Sequence, residues 1–176
     1  GKPQWPQNGL PLEDVFAPES MAGIVQHFVR FDGKATEPLA KKTLFFPRYH
    51  QREVVRQLLA DAREVGPGET YLIQHSAGSG KSNSITWLAY QLIEAYPANE
   101  KALKGRTYEQ PIFDSVIVVT DRRLLDKQIR DNIQEFSQVK GILAWAKKSS
   151  DLRTAMEQGK RIIITTIHHQ HYHHHQ

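Results

Sequence analysis

The chain has 176 residues, 39% apolar and 24% charged, with no cysteine and a formal charge of +4. That length allows one sizeable core. The composition excludes disulfides and thiolate-held metals, and the basic bias falls far short of showing a nucleic-acid partner. No run reaches the roughly 18 apolar residues that a membrane span needs. The opening GKPQWPQNGLPLEDVF lacks an apolar signal core, so a cytoplasmic location with no membrane partner is expected. The first methionine is Met21, which reads as a fragment or a trimmed chain.

Residues 1–17, rich in Pro, Gly and Asn, read as irregular. Pro18 can open a helix, and Met21, Ile24, Val25 and Phe28 follow at helical spacing, predicting an amphipathic helix over about 18–31. A polar stretch, 32–42, leads to Thr43-Leu44-Phe45-Phe46. Pro47 opens a second helix with Val54, Val55, Leu58, Leu59 and Ala62 on one face, closed by Gly66-Pro67-Gly68. Thr70 to Gln74 is a short apolar run bounded by turn signals and predicts a buried strand. A glycine loop follows, then a helix from Lys81 to about Ala95 with Ile85, Leu88, Ala89, Leu92 and Ile93 inward.

Residues 97–111 read as a loop, and Phe113 to Val119 as a second buried strand. Asp121 is placed to cap a helix reaching about Phe136. A weaker strand covers Gly141 to Trp145, a short helix Ser149 to Gln158, and a β-branched strand Arg161 to Thr166. Strands alternating with helices predict an α/β fold with a mostly parallel sheet and flanking helices. The tail from His168 to Gln176 holds six of the nine histidines. It reads as a tag or non-native end more readily than as a metal-binding tail.

The chemistry sits in His75-Ser76-Ala77-Gly78-Ser79-Gly80-Lys81-Ser82. The strict phosphate-loop pattern is GxxxxGK[ST], and His75 stands where its first glycine belongs. The order of strand, loop and helix is the context the motif needs. Gly78 and Gly80 can take backbone angles closed to other residues and let the main chain approach an anion. Amides from about Gly78 to Ser82 can then face a β-phosphate, aided by the helix N-terminus. Lys81 can reach the β- and γ-phosphates and is the catalytic candidate, and the Ser82 hydroxyl suits Mg²⁺. The expected cofactors are thus a nucleoside triphosphate and Mg²⁺, with Ala77, Gly78, Ser79, Gly80, Lys81 and Ser82 as binding residues. His75 is read as filling space behind the loop.

The segment Gln74 to Ile85, QHSAGSGKSNSI, closely resembles the motor subunits of type I restriction endonucleases, members of helicase superfamily 2. Phe46-Pro47-Arg48-Tyr49-His50-Gln51 looks like that superfamily's adenine-reading element. By that resemblance Gln51 reads adenine and the nucleotide is ATP, since an amide can donate to and accept from the adenine edge at once. Ser115 to Gln128 resembles motif Ia and its lead-in strand, which makes Thr120 and Arg122 candidates for contact with a DNA backbone. Lys160 to Ile167 resembles the next strand, ending in the pair Thr165 and Thr166 near DNA. There the family continues differently, and this chain turns to histidines.

The resemblance implies a RecA-like P-loop fold, incomplete, forming the front half of the first motor domain. It divides the chain into a linker (1–45), a partial ATP-binding domain (46–167) and the tail (168–176). It implies double-stranded DNA as a partner, pumped at the expense of ATP before cleavage, with methylation and specificity subunits in the complex. A superfamily 2 translocase without a nuclease, and a nucleotide-binding module without motor activity, stay open. No acidic motif II follows Ile167 and no Asp…Glu-x-Lys nuclease set precedes the loop. This chain by itself is therefore expected to hydrolyse ATP poorly, and its sheet to present an unpaired edge.

Overall fold

In the computed structural model of the chain, residues 16–32, 36–120, 129 and 141–166 are described. The chain divides into two units, residues 1–48 and 49–176.

In the first unit, α1 spans Pro18–His27 with proline in its first turn. Ile24 and Phe28 are buried as the spacing predicts, but Val25 is exposed. The helix stops short of the predicted residue 31. The amides of Phe28 and Val29 both bond back to the Ile24 carbonyl, and the chain then extends. Arg30–Asp32 forms β1, which pairs antiparallel with β2, Thr43–Phe45, in the register Arg30 to Phe45. The Arg30 guanidinium lies 4.8 Å from the centre of the Phe45 ring, a cation–π contact across the pair. Arg30 and Phe31, read from spacing as the end of the helix, thus carry one side of a small sheet together with Asp32.

In the second unit, α2 (Tyr49–Val65) buries Gln51, Val55 and Ala62 along one face. Next come α3 (Lys81–Leu92) and three strands, β3 (Val116–Thr120), β4 (Leu143–Ala146) and β5 (Ile162–Thr166). The helix α4 (Ser149–Glu157) joins β4 to β5. The strands form one sheet in the order β3-β5-β4, and both pairings are parallel. The expected α/β architecture with a parallel sheet is present.

Strand period decides what each face meets. Ile162 and Ile164 of β5 pack with Ala89 of α3 and Ile93 just past its end, with Val118 of β3 and with Ile129. Ile163, pointing the other way, packs with Ala146 and with Ala155 of α4. All three isoleucines are fully buried, as a central parallel strand covered on both faces requires. At the first turn of α4, the amides of Lys147 and Lys148 both donate to the Asp151 carboxylate, which fixes where that helix begins.

Two expectations are corrected. Thr70 to Gln74 is not a buried strand: it joins no ladder among the described residues, and Leu72 is 95% exposed. Extended backbone becomes a strand only with a neighbour to share hydrogen bonds, and apolar content does not supply one. Instead the Tyr71 hydroxyl donates to the Asp61 carboxylate on α2, and that bond, ahead of the loss of solvent, pushes the phenol up to about 12. Second, β3 is half exposed where full burial was expected. Among the described residues it is an edge strand, and Ile117 and Val119 face outward. The helix expected over 121–136 lies outside the described residues apart from Ile129, which is helical and buried.

Candidate nucleotide-binding site

The loop between the exposed 70–74 segment and α3 turns at two glycines with left-handed backbone angles, Gly78 at φ +73° and Gly80 at φ +79°. Gly80 is the residue before the first turn of α3. Its carbonyl accepts from the amides of Asn83 (3.1 Å) and Ser84 (3.3 Å), so those two donors are spent within the helix start. The amides of Lys81 and Ser82 come before any intrahelical acceptor. Ser79 is buried, Lys81 exposed and Ser82 half-buried, while Ala77 and Gly78 lie at the exposed rim. Inside α3, Thr86 donates its hydroxyl to the Ser82 carbonyl at 2.8 Å, bracing the first turn.

The loop rests on the start of α2. His50 Nε2 lies 2.9 Å from the Ser79 carbonyl oxygen. A carbonyl only accepts, so this nitrogen carries the proton. Gln51 is 2% exposed, and its Nε2 donates to the Gly80 carbonyl at 2.9 Å and to that of Ser79 at 3.3 Å. The ring of His75 meets that of His50 edge-on, 5.2 Å between centres. The reading of His75 as filling space behind the loop agrees with this contact. The part played by His50 was not legible, since its acceptor comes from a loop 29 positions away.

A model for the family described as SWI2/SNF2 ATPase matches residues 50–176, more than half of the chain. The chain belongs to the SWI2/SNF2 ATPase family. It is also 26% identical over 148 residues to the type I restriction enzyme HindI endonuclease subunit of Haemophilus influenzae (strain ATCC 51907 / DSM 11121 / KW20 / Rd). That alignment covers 84% of this chain and 12% of the relative, so the chain spans about an eighth of the relative's length. The resemblance to restriction-enzyme motor subunits is therefore shown. No solved structure matches the chain.

Membership in this ATPase family implies use of ATP, and the loop just described lies inside the matched segment. For Mg²⁺, the donor on hand is the single hard oxygen of Ser82. That fits an ion that binds few protein atoms and takes its other ligands from phosphates and water. Among the described residues no group of three or more His, Asp or Glu side chains is arranged to hold a metal by itself, and no helix is long and apolar enough to cross a membrane.

Three of the residues expected near DNA, Thr120, Thr165 and Thr166, gather at the C-terminal end of the sheet. Thr120 of β3 stands beside Thr166 of β5 in register, and Val119 beside Thr165. Thr120 is buried, and its hydroxyl has no partner among the described residues. The Thr165 hydroxyl donates to the Ala146 carbonyl at 2.9 Å, which ties β5 to β4. Thr166 is half-buried, and Arg122 lies outside the described residues.

Proposed function

We propose that this SWI2/SNF2 ATPase chain is the ATP-binding portion of a type I restriction endonuclease motor subunit. Its fold is the front part of a RecA-like domain. With Mg²⁺ held by Ser82 and ATP phosphates, the motor translocates double-stranded DNA in a complex with methylation and specificity subunits, and cleavage belongs to a nuclease domain elsewhere. Thr120, Thr165 and Thr166 stand at the DNA-facing end of the sheet, and Arg122 is a further candidate for contact with the DNA backbone. The reading is supported above all by one observation: the left-handed glycines Gly78 and Gly80 deliver Lys81 and Ser82 to the first turn of α3. That geometry brings the amides of a helix start, a cationic side chain and a hydroxyl to one place, as a triphosphate requires.

Lys81 neutralises charge on the β- and γ-phosphates, and adenine recognition falls to Gln51. To meet a base with both ends of its amide, Gln51 must exchange its bonds to the Ser79 and Gly80 carbonyls for the adenine edge. The test is binding of a fluorescent ATP analogue with Mg²⁺ to the wild type and to Lys81→Ala, with GTP as competitor. Loss of binding in the variant and weak competition by GTP support the reading. Equal binding by the variant removes the phosphate-loop assignment, and equal competition by GTP removes the adenine role.

A further inference from the structure

The contacts between α2 and the loop fall on carbonyl oxygens, not on amides. In a trans peptide the C=O and the following N–H point in opposite directions. The Ser79 carbonyl belongs to the same peptide as the Gly80 amide, and the Gly80 carbonyl to the same peptide as the Lys81 amide. His50 Nε2 and Gln51 Nε2 draw these two carbonyls towards α2. The amides of Gly80 and Lys81 are thereby turned away from α2, the direction in which backbone donors can meet an anion. Two further features lock the arrangement. Gly80 has no Cβ to keep the Gln51 amide at a distance, and the His75 ring abuts His50 from the side.

We infer that His50 is a positioning residue of the phosphate loop. Acting with Gln51, it aims the Gly80 and Lys81 amides at the phosphates of the nucleotide by holding the opposite ends of their peptide groups. The inference rests on the reading of the loop as a triphosphate site and adds a role that is independent of the base.

The distinguishing ligand has phosphates and no base. Binding of Mg²⁺–tripolyphosphate, ATP and GTP is measured calorimetrically on the whole chain, for the wild type and for Lys81→Ala, His50→Phe, His50→Gln and Gln51→Met. His50→Phe keeps the ring and its contact with His75 but removes the donor. It is expected to weaken all three ligands by a common factor of about fivefold, the worth of one hydrogen bond. His50→Gln, which places an amide donor at similar reach, restores most of the loss. Gln51→Met weakens tripolyphosphate as well as ATP. Thermal midpoints without ligand identify any variant that is simply unfolded, and the rescue by His50→Gln separates lost aim from lost stability. Unchanged tripolyphosphate affinity in a folded His50→Phe overturns the inference while leaving the ATP site standing. Failure of the wild type to bind tripolyphosphate and ATP, or equal binding by Lys81→Ala, overturns the site reading itself and the inference with it.

Discussion

The amide nitrogen of Gln51 occupies the space a side chain on Gly80 would need: a Cβ built there falls 2.2 Å from Gln51 Nε2. At Gly78, the other left-handed glycine of the loop, nothing lies within 4 Å of the same construction. The two substitutions to alanine therefore separate two costs. Gly78→Ala meets only the backbone penalty of the left-handed region, about 1–2 kcal/mol. Gly80→Ala meets that penalty and also expels the Gln51 amide from its carbonyls. Both variants are expected to fold, with Gly80→Ala losing at least about tenfold more ATP affinity, the equivalent of ~1.4 kcal/mol. Titration of each with the fluorescent ATP analogue is the check, and equal losses would mean that the clasp carries no weight.

The core and the exposed segment make a matched pair. Ile163 is fully buried between sheet and α4, and Leu72 is almost fully exposed. Ile163→Ala is expected to cost about 2–5 kcal/mol, the usual range for emptying a packed site. Leu72→Ala is expected to stay within about 0.5 kcal/mol, as surface changes do. Urea denaturation midpoints at constant slope measure both. A large cost at Leu72 would restore the buried strand that sequence alone suggested.

Thr120 offers a test with two readouts. Its hydroxyl is buried without a partner among the described residues, while its methyl group lies in the fold. Thr120→Val keeps the shape and removes the stranded hydroxyl, so stability is expected to hold or rise slightly. If the hydroxyl meets DNA phosphate in the working motor, DNA affinity falls in the same variant, and the salt dependence of binding flattens with it. A fall in stability would show that the hydroxyl is satisfied in solution.

Among the described residues, the pH dependence of stability has one identifiable acid-side contributor. Arg106 donates to both carboxylate oxygens of Asp114, at 3.0 and 2.6 Å. That hydrogen bonding holds the Asp114 carboxyl below its ordinary value and raises the guanidinium. A carboxyl depressed in the folded state contributes fully above its unfolded value. The contribution is lost as the pH falls through the folded value. Melting temperature should therefore carry a small slope below about pH 4, the ordinary carboxyl range. Asp114→Asn should flatten it. The carboxylate is mostly exposed, so the slope is expected to shrink further in high salt.

Much of the fold could be read from periodicity because the decisive information was local. The helical spacing of Val54, Val55, Leu58, Leu59 and Ala62 gives α2, and the β-branched run before Thr165 gives β5. The loop was legible for the same reason, since glycine and lysine at fixed spacing act within a few residues. What escaped depends on partners distant in the chain. Thr70 to Gln74 has strand composition, but pairing is a property of neighbours. Arg30–Asp32 looked like a helix end until Thr43–Phe45 came alongside it. His50 had no visible task because the Ser79 carbonyl it holds is placed by the turn at Gly80.

The central position of β5 also bears on the order in which the protein is made. β3 and β4 each pair with β5 and not with one another. A ribosome delivers Val116 long before Ile162, so neither outer strand has its neighbour when it leaves the exit tunnel. Until Thr166 has emerged, α3 has no isoleucine ridge to settle on, and the apolar faces of β3 and β4 stay open to chaperones and to other nascent chains. The sheet is therefore expected to close in a single late step.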